Sequence, residues 1–188
     1  MQNCIKKEIN EAGIDEAGRG CLMGRVYTGA VILPDNYATD EYLGIKDSKK
    51  LSKKNREIMR KYIETNAIAW AVDYASVEEV DKYNILRATL MSMHRAVDKL
   101  KIKPEHLAVD GNRFIIYTDT DDEVISHTLV KSGDNKYRNI AAASILAKTH
   151  RDEYVKKIIE NDPDLKKYGW QTNMGYGTKE HMTAINKY

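Results

Sequence analysis

Asp15 and Glu16 sit side by side in GIDEAGRGC (Gly13 to Cys21), and small residues follow them, with Arg19 held between Gly18 and Gly20. Adjacent carboxylates repel, so they raise each other's pKa or hold a cation. Asp110, directly before Gly111, and Asp152, in AAASILAKTHRDEY, are two further acids whose surroundings fit the same use. Carboxylate oxygens are hard ligands that select Mg²⁺ or Mn²⁺ over zinc. Two such ions about 4 Å apart can activate a water and stabilise a departing oxygen in phosphodiester hydrolysis. Any one of these aspartates taken alone is better read as a cap or a surface charge. The Asp15–Glu16 pair at a glycine-rich strand end puts metal chemistry on a par with that reading.

Other chemistries find less support. Nucleophilic serine catalysis lacks a GxSxG elbow. Gly18, Gly20 and Gly24 are spaced GxGxxxG, which is not the dinucleotide pattern, and no GxxxxGK[ST] phosphate loop occurs. Metal-free RNA cleavage would use paired acid and base groups, usually histidines. The five histidines at 94, 106, 127, 150 and 181 form no such motif, and His94 and His150 read as helix-surface residues.

The elements that must position the acids follow from periodicity. A first strand leads through Ile14 to Asp15, and VYTGAVIL (Val26 to Leu33) reads as a buried strand closed by Pro34-Asp35-Asn36. Neighbours on a regular strand face opposite ways. Asp15 and Glu16 therefore meet on one ligand only if the strand breaks, which Ala17-Gly18 allows. Ser52 caps a helix through KKNREIMRKYIE with Ile58, Tyr62 and Ile63 on its apolar face. Ala67 to Ala75 is a strand, Ile85 to Leu100 a helix with a Leu86–Leu90–Met93–Val97 stripe, and HLAVD a short strand ending at Asp110. Val124 to Val130 forms another strand, Tyr137 to Ile159 a long helix, and a last helix begins near Thr178. On the long helix Ser144, Lys148 and Asp152 share one face. Lys before Asp is the weaker order for a helical ion pair, so local helix stability explains that pair poorly. The pattern predicts an α/β protein with a mixed sheet and helices on its faces, with ligand chemistry at strand ends.

With 188 residues and 42% hydrophobic content, the chain is one domain able to build a core. Cys4 and Cys21 make no disulfide framework, no leader is evident and no apolar run suits a membrane span, which predicts a cytoplasmic protein. Lys46 to Lys61 holds eight basic residues against Asp47 and Glu57, a patch that favours a polyanion, although composition alone fits a solvated helix face as well.

Seven blocks resemble one family in its own order: GIDEAGRG (13–20), GAVIL (29–33), DSKKLS (47–52), NILRATLMSMHRAV (84–97), VDGNR (109–113), AAASILAKTHRDEY (141–154) and GYGTKEHM (175–182). The family is type 2 ribonuclease H, RNase HII, and the blocks span almost the whole chain. The resemblance implies an RNase H-like fold: a central mixed β-sheet flanked by helices, a single catalytic domain over 1–188 with a short C-terminal helical segment from about 160. It implies an endoribonuclease that cuts the RNA strand of RNA/DNA hybrids and incises 5′ of ribonucleotides embedded in duplex DNA, leaving 3′-hydroxyl and 5′-phosphate ends. The family's metal-binding acids fall on Asp15, Glu16, Asp110 and Asp152, with Mg²⁺ or Mn²⁺ as cofactor. Its substrate contacts fall on Gly18, Arg19 and Gly20, which read the 2′-hydroxyl largely through backbone groups, and on Tyr176, which packs on the sugar at an RNA–DNA junction. Ser48 and Lys49 resemble a phosphate-contacting loop, and Lys148 falls near the metals or the phosphate backbone. A monomer acting on these duplexes, with no membrane association, is the implied state.

Three positions depart from the family pattern. Cys21, Met23 and Arg25 stand where relatives usually carry Pro, Ala and Pro, so this loop loses φ-fixing prolines. Relatives also usually continue with a basic tail where this chain ends at Tyr188. Two alternatives stay open: a hybrid-binding module without catalysis, and a DNA nuclease of the same fold such as a junction resolvase.

Overall fold

The structure, a computed structural model, describes residues 1–34 and 51–188. Ser48, Lys49 and the start of the basic run lie outside the described residues. Strands β1 (Glu11–Ala17) and β2 (Val26–Ile32) form an antiparallel pair, and helix α1 (Lys53–Asn66) follows. The Ser52 side chain accepts the Asn55 N–H at the start of α1, as its position predicts. Strand β3 (Ala69–Ala75) adds to β2, and then come helices α2 (Val77–Tyr83) and α3 (Ile85–Asp98). Strands β4 (His106–Asp110), β5 (Tyr117–Thr118) and β6 (Val124–Val130) complete a sheet of order β3-β2-β1-β4-β6-β5. Helix α4 (Arg138–Asn161) crosses it, and short helices α5 (Trp170–Asn173) and α6 (Lys179–Lys187) end the chain. The sheet is mixed: β4 runs parallel to β1 and β6, while β2, β3 and β5 pair antiparallel.

Strand alternation sorts the core into two layers. Ala12 and Ile14 of β1 pack with Leu90, Met93 and Val97 of α3 on one face. Val31 of β2 packs with Ile63 of α1 and with Ala141 to Ala143, Ile145 and Leu146 of α4 on the other. Each fully buried Leu or Ile contributes about 1.5–3 kcal/mol. Ile58, expected on the apolar face of α1, is 50% exposed. Two elements go beyond the expectations. The α2 turn is closed by a capping box in which Ser76 and Glu79 satisfy each other's backbone N–H groups. The two-residue β5 is too short for alternation to reveal.

The seating of α4 matters most for function. A Cβ on Gly13 would collide with the Asn139 carbonyl carbon and the Ile140 amide nitrogen, and one on Gly29 would lie 2.5 Å from the Ala143 oxygen. The helix backbone therefore rests directly on β1 and β2. Its next turns run out over the C-terminal end of β1, where Asp15 lies. Overpacking a tight contact typically costs 1–3 kcal/mol, and here the obstacle is main chain. Gly13→Ala is expected to lower unfolding free energy by ~2 kcal/mol or more in urea titrations. Gly20→Ala, where an added Cβ meets nothing within 4 Å, should stay within about 0.5 kcal/mol of the parent.

Candidate active site

β1 and β4 are parallel neighbours, with Ile14 opposite Val109, so Asp15 and Asp110 leave the sheet at the same end. Glu16 is part of the same end, but β1 continues unbroken through Ala17, and the break comes only at Gly18, at φ +108°. The break that Ala17-Gly18 allows thus comes after both acids, and Asp15 and Glu16 keep the opposite orientations of regular strand neighbours. Asp15 points to the α4 side, where it bonds Ser144. Glu16 points to the α3 side, into a cleft lined by Met93, Arg19, Asp110, Asn112 and Arg113. Ile14 and Val109 share the α3-side core layer, so Asp110 leaves the sheet on the face that Asp15 uses, and Glu16 acts on Asp110 from the other face, round the end of the sheet.

Each acid has its own internal donor. Asp15, 5% exposed, accepts the Glu16 N–H at 2.7 Å besides Ser144. Glu16 pairs with Arg19 at 3.0 Å. Asp110 accepts the Gly133 N–H at 2.6 Å. Asp152 pairs with Lys148 at 2.7 Å. Burial, then the charges of Glu16 and Asp110, push the Asp15 carboxyl well above the usual carboxylate range. Burial also raises Glu16, with Asp110 adding to the rise and Arg19 opposing it. These interactions bring Asp15, Glu16 and Asp110 into one electrostatic group. Asp152 follows Ser144 by two helical turns on the same face of α4, and its charge acts on Cys21 and Tyr176. Among the described residues no three such side chains already close on a common ligand point.

The Lys148–Asp152 pair is informative because it is weak by its own standards. An i,i+4 pair on a helix is worth about 0.3–0.5 kcal/mol, and less in this order. Both side chains are largely covered, 19% and 6% exposed, and taking charges out of water costs several kcal/mol per ion. Stability does not explain keeping them. A donor set of carboxylates alone, with too little positive charge around Asp15, fits a hard divalent cation. Cys21 does not join it: burial raises its thiol, which keeps it protonated.

The Gly18-Arg19-Gly20 segment is a turn closed by the Cys21 N–H on the Gly18 carbonyl at 3.0 Å. Arg19 is half exposed and Gly20 faces open space, so main chain is accessible there. Tyr176 comes to this turn across the chain. Cys21 and Tyr176 form an antiparallel bridge, and the Leu22 N–H donates to the Gly175 carbonyl at 2.8 Å. The Tyr176 ring is 39% exposed, with Lys148 Nζ at 5.3 Å from its centroid.

The Trp170–His181 pair and Arg151, given no role from sequence, hold this arrangement. Trp170 Nε1–H donates to His181 Nε2 at 2.8 Å. Indole nitrogen only donates, so the His181 proton sits on Nδ1 and goes to the Tyr176 carbonyl at 2.9 Å. Arg151, fully buried, donates to carbonyls of the segment after the turn and of the segment before Tyr176. His181 and Arg151 lie inside quoted blocks, but a buried arginine bonded to main chain leaves no spacing signature.

The model of the family described as Ribonuclease HII matches residues 12–188. A ribonuclease HII of Bacteroides fragilis is 52% identical over 181 residues, covering 96% of this chain and 85% of the relative. Among solved structures, the RNase HII in a PCNA:RNase HII complex from Archaeoglobus fulgidus aligns with TM-score 0.73 and 26% identity, over 95% of this chain and 87% of that one. The ribonuclease H2 of Pyrococcus horikoshii aligns with TM-score 0.72 and 20% identity, over 95% and 98%.

The crowded acids set a pH signature. Asp15 is raised in the fold above its ordinary 3.8, so the folded chain holds that proton more tightly than the unfolded chain. The group's penalty is absent below about pH 3.8 and grows as pH rises through the raised folded value. In chelator, Asp15→Asn should therefore raise the melting temperature at neutral pH. The gain should shrink toward acid pH, as followed by calorimetry across pH.

Proposed function

The chain belongs to the ribonuclease HII family, endoribonucleases of RNA/DNA hybrids, and we propose that Asp15, Glu16, Asp110 and Asp152 carry that activity here. The observation that supports this most is the electrostatic group at the end of β1 and β4, where burial and two like charges act on Asp15. The site spends stability on concentrated negative charge, as a cation-dependent site does. A pair of divalent ions, Mg²⁺ or Mn²⁺, held by these four acids would supply an activated water and would neutralise charge on the departing 3′-oxygen.

The chain's own residues do the rest. Asp15 and Asp110 offer carboxylate oxygens from adjacent strands, and Ser144 and the Gly133 N–H fix their orientation. Glu16 and Asp152 approach from either side, with Arg19 and Lys148 as their internal counter-charges. The Gly18-Arg19-Gly20 turn reads the 2′-hydroxyl. That group is what separates ribose from deoxyribose at such a site. Open space at Gly20 supports the reading, because a strand can approach the main chain there. Tyr176 packs on the junction sugar, so the chain also incises 5′ of single embedded ribonucleotides. Ser48, Lys49 and Lys148 contact phosphates. The working unit is a cytoplasmic monomer of one domain, whose C-terminal segment from about 160 packs through α5 on α4.

One gel tests the reading: an all-DNA duplex, a duplex with one ribonucleotide and a full hybrid, each with Mg²⁺, Mn²⁺ or chelator. The two ribose-containing duplexes should be cut only with metal, giving 3′-hydroxyl ends. Asp15→Asn should lower cutting by at least about a thousandfold while hybrid binding persists. Efficient cutting of the all-DNA duplex, or full activity in Asp15→Asn, contradicts the assignment.

A further inference from the structure

Among the described residues, Arg151 is the largest fully buried side chain. Among the described residues no carboxylate stands at ion-pair distance from it. Its guanidinium instead donates to three main-chain carbonyls. Nε reaches Arg25 at 3.2 Å, Nη2 reaches Met23 at 3.2 Å, and Nη1 reaches Met174 at 2.8 Å. The first two lie just after the Gly18-Arg19-Gly20 turn, and the third lies two residues before Tyr176.

Both loops also rest on the guanidinium directly. A Cβ on Gly18 would collide with Arg151 Nε and lie 2.7 Å from its Cδ. A Cβ on Gly175 would lie 3.4 Å from Nη2, and the Tyr176 ring centroid is 5.8 Å from Cζ. A planar fork of five donors can span two separate segments at a fixed distance, which an ammonium on a flexible stem cannot. Burying an unpaired cation is costly, so packing alone is a poor reason to place Arg here.

We propose that Arg151 is a positioning residue that sets the spacing between the ribose-reading turn and Tyr176, and so determines selectivity for a single embedded ribonucleotide. The inference rests on the roles proposed above for those two loops. A long hybrid presents a 2′-hydroxyl at every step of its RNA strand, so a turn displaced from Tyr176 still finds one. A single ribonucleotide offers one hydroxyl and one junction sugar at a fixed separation. Both loops must then engage at once, and a misplacement of 1 Å can cost a hundredfold in rate. The departures at Cys21, Met23 and Arg25 make the clamp more necessary in this chain, since no proline stiffens the segment that Arg151 holds.

The test is kcat/KM of Arg151→Lys on the one-ribonucleotide duplex and on the full hybrid. Folding is checked by circular dichroism. The ratio of the first to the second should fall at least about tenfold, with hybrid cleavage much less affected. Should Arg151→Lys fail to fold, Gly175→Ala carries the same expectation. It keeps the guanidinium but drives a Cβ into Met23, separating the two loops. An equal loss on both substrates, or an unchanged ratio in a folded variant, overturns the proposal. Parent protein that cuts neither substrate would instead overturn the functional reading beneath it.

Discussion

The contact between the α4 backbone and the sheet is the constraint on which the site depends. Gly13 and Gly29 present no side chain, so the helix lies against β1 and β2 at main-chain distance. Ala141 to Ala143 keep the helix surface equally low. From that seat, side chains one turn apart arrive in order at the end of β1. Ser144 holds Asp15, Lys148 and Asp152 pair above it, and Arg151 passes beneath Gly18 to both loops. A helix held off by a single Cβ on each strand would detach Ser144 from Asp15 and lift Arg151 from its carbonyls. Packing of small residues far from the chemistry thus fixes the geometry of the charged ones.

The electrostatics follow a consistent pattern. Every proposed ligand acid is kept in place by local donors: a hydroxyl and a backbone N–H on Asp15, a guanidinium on Glu16, a backbone N–H on Asp110 and an ammonium on Asp152. One hydrogen bond of this kind orients a carboxylate without neutralising the group as a whole. Asp15 shows the remaining imbalance most clearly, because it is buried and receives only neutral donors while two like charges act on it. The arrangement leaves the acids ordered yet short of positive charge, which suits cations that are completed by substrate oxygens rather than by protein alone.

Much of this was legible in the sequence, for identifiable reasons. Strong periodicity located β2, α1, α3 and α4, and the i, i+4, i+8 spacing placed Ser144 and Asp152 on one face. That Asp15 and Asp110 are neighbours required β1 to pair with β4, a contact between segments 95 residues apart that no local pattern encodes. Whether β1 breaks at the acids was left open by the sequence, and the strand is regular through both, so Asp15 and Glu16 face opposite sides of its end. Arg151 and His181 stayed hidden because their residue types usually mark surface, and their partners are carbonyls, which leave no trace in side-chain identity. Ile58 went wrong for the opposite reason, an apolar residue at helical spacing that the fold leaves in solvent.

The central claim is that the acids from β1, β4 and α4 act as one cation site in the presence of substrate. Anomalous scattering from Mn²⁺, in crystals of the protein with and without a short RNA/DNA hybrid, measures this directly. With hybrid present, manganese peaks should be contacted by Asp15, Asp110 and Asp152 carboxylates and by a strand phosphate, with Lys148 drawn away from Asp152. Manganese bound elsewhere, with Asp152 still closed on Lys148 and remote from Asp15 beside an ordered hybrid, would contradict it.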